Sequence, residues 1–180
     1  DSSTSRGLGD VYKRQDTEFN STSNRAIQIS AVRIRDGLHI ADQFNRFIPS
    51  PDKFDQLHII RTSNMRYSDY LALPSLQQTV RDYVAWMRTT IDIVGWSIEG
   101  DAGRIRETFK KGSHGIPKNW KFIDIADIVE KRYSFNATPP LQGLANVLGI
   151  PVNRTHNALD DCLRTFGVIK ALESRDGKLF

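Results

Sequence analysis

The sequence predicts an α/β fold, with a central mixed β-sheet flanked by α-helices. Three observations carry that reading. Ala26 to Arg35 alternates apolar residues with period two, Asp36-Gly37 follows as a hairpin turn, and Leu38 to Ile48 returns, ending at Pro49. Further on, short apolar runs at Ile91–Trp96 and Phe122-Ile123 alternate with stretches of helical spacing. Strands grouped first as an antiparallel meander, then alternating with helices, are the pattern of a mixed sheet covered by helices.

Each element has its own signal. Residues 1–15 are rich in Ser, Gly and charge, and the run LGDVYKRQ resembles translated adapter sequence. A strand carrying a central acidic pair should enter through four to six apolar residues. Here Lys13, Arg14 and Gln15 stand in those places, so residues 1–15 are expected to be a non-native or disordered leader, with the domain spanning 16–180. The strand around Asp16 completes a three-stranded meander. Residues 49–73, bounded by Pro49, Pro51 and Pro74, are expected to be irregular. Leu76, Val80, Tyr83, Val84 and Met87 recur at helical spacing. Residues 99–111 read as a helix closed by Gly112 and Gly115. Asp124 is an N-cap for a helix to about Tyr133, and Pro140 opens another that Gly149 ends. The last helix runs from about Asn157 to Glu173, with Leu159, Leu163, Phe166, Ile169 and Leu172 as its stripe.

Composition bounds the function. A chain of 180 residues builds one domain with a substantial core. Hydrophobic residues at 39% and charged residues at 26% are those of a water-soluble protein, and no apolar run approaches the roughly 20 residues of a membrane span. The single cysteine, Cys162, excludes an intrachain disulfide and suits a reducing, cytoplasmic setting. Net charge is +4. If several carboxylates are committed to metal, the remaining surface is more basic still, which favours a polyanionic partner.

Three stretches carry chemistry. In Asp16-Thr17-Glu18 two carboxylates share one face of a strand. Held that close, they raise each other's pKa unless a cation lies between them, and hard oxygen donors suit Mg²⁺ or Mn²⁺. The bland alternative is a solvated surface pair. In Val94-Gly95-Trp96-Ser97-Ile98-Glu99-Gly100-Asp101 an apolar strand turns into a helix with a carboxylate in its first turn. Its alternative is a charge that merely suits the helix N-terminus. In His156-Asn157-Ala158-Leu159-Asp160-Asp161 a histidine stands at the mouth of a helix and an aspartate just inside it. There the alternative is a loop histidine and two helix-start charges.

Together the three form an ordered pattern: D-x-E on an early strand, D after a middle strand, and H-x4-D on the last helix. This pattern resembles the DEDDh branch of the DnaQ-like 3′–5′ exonucleases over roughly residues 16–173. The resemblance implies a ribonuclease H-like fold and a two-metal hydrolysis of terminal phosphodiesters to nucleoside 5′-monophosphates. It implies Asp16, Glu18, Asp101 and Asp161 as ligands of two Mg²⁺ or Mn²⁺ ions and His156 as general base. Phe19 and Asn20, directly after the first pair, occupy positions that contact the terminal nucleotide in the family. Trp96 is either core or base-facing, and Glu99 rivals Asp101 as ligand. The implied partner is a nucleic-acid 3′ end, single-stranded, of RNA or DNA. A non-catalytic nucleic-acid-binding module on the same fold is the alternative.

The chain departs from the family in three places. The apolar lead-in to Asp16 is missing. Trp96-Ser97 stands where many members have His-Asn. No Thr-Gly-Ile-like loop appears in residues 58–65. From Arg104 to Lys121 six basic residues accompany one acid, Glu107, as a solvated face or a strand-binding rim beside Asp101. His39, His58 and His114 have no carboxylate spacing and read as surface or satisfied histidines. Cys162, beside Asp161, has no paired base motif and does not read as a nucleophile.

Overall fold

The computed structural model describes residues 12–19 (by backbone), 26–35, 39–87, 92–151 and 157–180. Its strands are β1 (Tyr12–Phe19), β2 (Ala26–Arg35), β3 (His39–Phe47), β4 (Asp92–Gly95) and β5 (Lys121–Asp124). They form one sheet in the order β3-β2-β1-β4-β5. The first three pair antiparallel, whereas β4 runs parallel to β1 and β5 parallel to β4. The expected meander and the expected mixed sheet are both present. The Asp36-Gly37 turn lies outside the described residues.

Helices cover both faces. On one, α3 (Leu76–Met87) and α4 (Ile98–Lys111) bury Val80, Tyr83, Met87, Ile98, Ile105 and Phe109 against Ile29, Ala31 and Ile93. On the other, α5 (Ile125–Arg132), α6 (Leu141–Val147) and α7 (Ala158–Asp176) pack over Val94, Val32 and Ile34. The split follows strand alternation: Ile93 and Val94 are neighbours in sequence and belong to opposite cores.

Two expectations need correction. The stretch 49–73 is helical, not irregular: α1 spans Lys53–Ser63 and α2 spans Tyr67–Leu71. Asp52 caps α1, its carboxylate accepting the N–H of Phe54 at 2.8 Å and of Asp55 at 3.1 Å. The helix shows no apolar stripe because its buried residues are only Asp55 and Ile59, while Phe54 and Leu57 are exposed. Asp55 is satisfied by the Ser50 hydroxyl, which donates to it at 2.5 Å. The second concerns the first half of β1, whose sequence does not read as a strand. Tyr12 to Gln15, placed in the leader by the missing apolar run, form the first half of β1 in the middle of the sheet. There the ladder supplies the hydrogen bonds whatever the side chains are.

Candidate active site

The parallel strands β1 and β4 end at the same edge of the sheet, and β2, antiparallel to β1, begins there. Asp16 stands opposite Ser30 and Glu18 opposite Gln28 in the β1–β2 ladder. Those two partners, Ser30 and Gln28, are β2 residues that meet α7. The register shifts between Glu18 and Phe19, a bulge immediately after the acidic pair.

A buried polar network ties α7 to this spot. Gln28 is 2% exposed, and its side-chain oxygen accepts the Ala158 N–H at 3.2 Å. Its amide nitrogen donates to the Asn45 side-chain oxygen at 2.9 Å and reaches that of Asn157 at 3.5 Å. The Ser30 hydroxyl donates to the same Asn45 oxygen at 2.8 Å. Asn157 is the N-cap of α7, accepting from Leu159 N at 3.1 Å and Asp160 N at 3.3 Å. The helix that carries Asp161 in its first turn is thereby fixed to the residue facing Glu18.

Asp161 is partly buried, with 19% of its side chain exposed, and it pairs with the buried guanidinium of Arg164 three residues on. The Thr165 hydroxyl donates to the Asp161 carbonyl at 2.9 Å. Below it, the Cys162 thiol is buried against the Ser30 carbonyl.

Asp101 comes from the other layer, in the first turn of α4. The turn into α4 is held by Asp124, whose carboxylate oxygen accepts both the Ser97 N–H (3.0 Å) and the Ala126 N–H (2.9 Å). Asp124 caps α5 as expected and also ties the end of β5 to the start of α4. Ser97 itself is in the left-handed region, φ 53°. Gly95 is required just before it, since a Cβ there would meet Ile98 side-chain carbons at 2.7–2.9 Å. Asp101 is half-buried and Glu99 exposed. Trp96 is half-buried against the Val94, Ile125 and Val129 core.

The placements are uneven in detail. Asp16, Glu18 and Phe19 are fixed by backbone register, while Asn20 and His156 lie outside the described residues. His156 directly precedes the N-cap Asn157 in sequence. Among the described residues no three acidic, imidazole or thiol side chains converge as a metal-holding group. The donor chemistry nevertheless fits a hard divalent cation. All four acids offer carboxylate oxygens, and three of them, Asp16, Glu18 and Asp161, belong to elements joined through Gln28. Of the basic run, Arg104, Arg106, Lys110, Lys111, Lys118 and Lys121 are all exposed. Gln28, Ser30, Asn45 and Asn157 were not singled out from sequence. The available signal was Gln28 and Ser30, two polar residues at period two in an otherwise apolar strand.

The fold and site define a class, the ribonuclease H-like α/β domains with acidic residues at one sheet edge. The chain belongs to the exonuclease family RNase_T, whose family profile matches residues 15–169. The curated DNA polymerase III PolC-type of Clostridium perfringens is 26% identical over 166 residues, covering 89% of this chain and 11% of that protein. The chain therefore spans about a tenth of that relative. Escherichia coli Exonuclease I, solved with a dA16 oligonucleotide, superposes with a TM-score of 0.74 at 14% identity, covering 94% of this chain and 42% of that one. Exonuclease X, solved with 5′-overhanging duplex DNA, gives 0.62 at 13% identity, with 92% and 93% covered. The RNase domain of yeast Pop2 gives 0.61 at 13% identity, with 93% and 80% covered.

Proposed function

We propose that this domain is a metal-dependent 3′–5′ exonuclease acting on single-stranded 3′ ends and releasing nucleoside 5′-monophosphates. Asp16, Glu18, Asp101 and Asp161 would hold two Mg²⁺ or Mn²⁺ ions. When bound, such ions polarise the scissile phosphodiester and stabilise charge on the leaving 3′ oxygen. His156, one residue outside the α7 cap, takes the proton from the attacking water. Neutral imidazole suits that task near pH 7. Phe19, Asn20 and Trp96 would contact the terminal nucleotide. Exonuclease I and Exonuclease X bound to DNA support a nucleic-acid substrate.

The observation that carries this reading is the Gln28 bridge, which connects the strand position opposite Glu18 to the start of the helix that carries Asp161. The test is a panel of 3′-labelled single- and double-stranded RNA and DNA with Mg²⁺, Mn²⁺ or EDTA. Mononucleotides should appear first, with no internal fragments, and only with metal present. Hydrolysis undiminished in EDTA, or early internal cuts, would overturn it. His156→Ala should lower single-turnover rate about 10²–10⁴-fold while substrate affinity holds.

A further inference from the structure

A basic pocket of about 610 Å³ opens at the far end of α4 from Asp101. Arg106 and Lys110 line it from the helix, His114 and Lys118 from the following loop, and Trp120 and Phe122 at the entry to β5. Among the described residues no carboxylate lines it. Arg106, Lys110 and Lys118 are exposed, so their charged ends are reachable from solvent. The guanidinium of Arg106 lies 5.6 Å from the centre of the Phe122 ring. Trp120 is 8% exposed and wedged edge-on against Tyr83 and Phe109, a fixed apolar floor.

A helix C-terminus ordinarily repels anions. Here that effect is muted, because the carbonyls of Thr108, Phe109 and Lys110 already accept the N–H groups of Gly112, His114 and Ser113. The pocket is also separate from the candidate active site. Lys110 lies nine residues beyond Asp101, about 13 Å along the helix axis. At 3.6 residues per turn, Arg106 and Lys110 fall on the opposite flank of the buried stripe Ile98, Ala102, Ile105 and Phe109 from Asp101. The expected basic rim beside Asp101 is therefore, for these two residues, a second concave site toward β5.

We propose that this pocket binds a nucleotide unit without hydrolysing it. Its phosphate is held by Arg106, Lys110 and Lys118, and its base lies against the apolar floor. Cations beside aromatic surface are the combination that recognises a phosphate with a planar ring attached. The unit comes either from a free mononucleotide or from an internal position of a single strand. The inference stands on the pocket and not on the roles of the carboxylates.

The test uses the full chain in EDTA, which removes metal-dependent hydrolysis from the measurement. Inorganic phosphate, adenosine 5′-monophosphate and a short single-stranded oligoadenylate are titrated while amide chemical shifts are followed. Amides of Ser113–Gly115 and Trp120 should move with a nucleotide probe at concentrations well below those at which phosphate acts. Response to the mononucleotide alone assigns a free nucleotide, and response to the strand alone assigns an internal one. Arg106→Ala/Lys110→Ala/Lys118→Ala should weaken binding at least tenfold. If the strand is the ligand, that variant also flattens the salt dependence by about 0.7 log units per log unit of salt, the value for one single-strand phosphate contact. Lys110→Glu alone should weaken binding as well, and Lys110→Arg should keep it. Phosphate binding as tightly as either nucleotide probe, shifts confined to other surfaces, or unchanged affinity in the triple variant would each overturn the proposal.

Discussion

The side-chain oxygen of Gln28 on β2 accepts the backbone N–H of Ala158 at the start of α7, at 3.2 Å. Glu18 faces Gln28 across the ladder and Asp161 lies one turn into α7, so one amide sets the relation between two candidate ligands. Gln28→Leu fills similar volume but takes the acceptor from the Ala158 N–H, while the Asn45 oxygen keeps the Ser30 hydroxyl. The expected cost is about 1–3 kcal/mol by urea denaturation. Because small misplacements are costly in catalysis, turnover should fall about 10²-fold. Gln28→Glu keeps the acceptor for Ala158 but sets a buried carboxylate against the Asn45 and Asn157 oxygens, so it should recover neither loss. Unchanged turnover in Gln28→Leu would remove it from the positioning role.

The two carboxylates at the start of α4 separate by environment. Asp101 is half-buried and Glu99 is exposed, with the α4 turn held by Asp124 behind them. Asp101→Asn should abolish metal-dependent nuclease activity, whereas Glu99→Gln should retain most of it. Asp124→Ala removes the acceptor for two backbone N–H groups. It should destabilise by about 1–2 kcal/mol and raise the Mg²⁺ concentration needed for half-maximal rate. If Glu99→Gln is the inactive variant, the ligand role belongs to Glu99.

Asp161 does two things at once, and that makes its simplest variant ambiguous. Its carboxylate is the charged partner of Arg164, a guanidinium with 2% of its side chain exposed. Asp161→Asn should therefore lose activity and also stability, because it removes a charged partner from a buried guanidinium. Adding Arg164→Met should return much of the stability and none of the activity. A melting temperature that does not move in Asp161→Asn would show that the pair contributes nothing to the fold.

How much of this was legible in the sequence depends on where the information resides. The bounds of α3, the cap Asp124 and the β2–β3 pairing are local matters of spacing and capping, and sequence reads them well. α1 was not legible because its one strong signal, Asp52 as N-cap, precedes a helix with no apolar stripe. The Gln28–Asn45–Asn157 network joins residues up to 130 positions apart, and only the fold reveals which polar residues meet. The pocket at Trp120 escaped for the same reason: a run of cations in sequence does not show which of them line one concavity.

Lys13 stands opposite Arg33 in the β1–β2 ladder and level with Ile93 of β4. Arg33 is 8% exposed, ion-paired with Asp42 at 3.6 Å and stacked 4.6 Å from the Trp86 ring centre. Like charges facing each other across a ladder destabilise it, and Arg33 already has its counter-ion. A β-branched apolar residue at position 13 would remove the repulsion and suit a central strand. Lys13→Val should thus raise stability by the repulsion relieved plus up to about 1.5–3 kcal/mol of apolar burial. For a chain of this length each kcal/mol is about 2–4 °C in melting temperature, so a thermal melt resolves the change. Lys13→Glu separates the two contributions, since it reverses the charge facing Arg33 without adding apolar area. A gain with valine alone assigns the defect to burial, and a gain with both assigns it to charge. A melting temperature that falls in both variants would mean that Lys13 supports the strand, and the apolar lead-in inferred from the acidic pair would not be what this β1 requires.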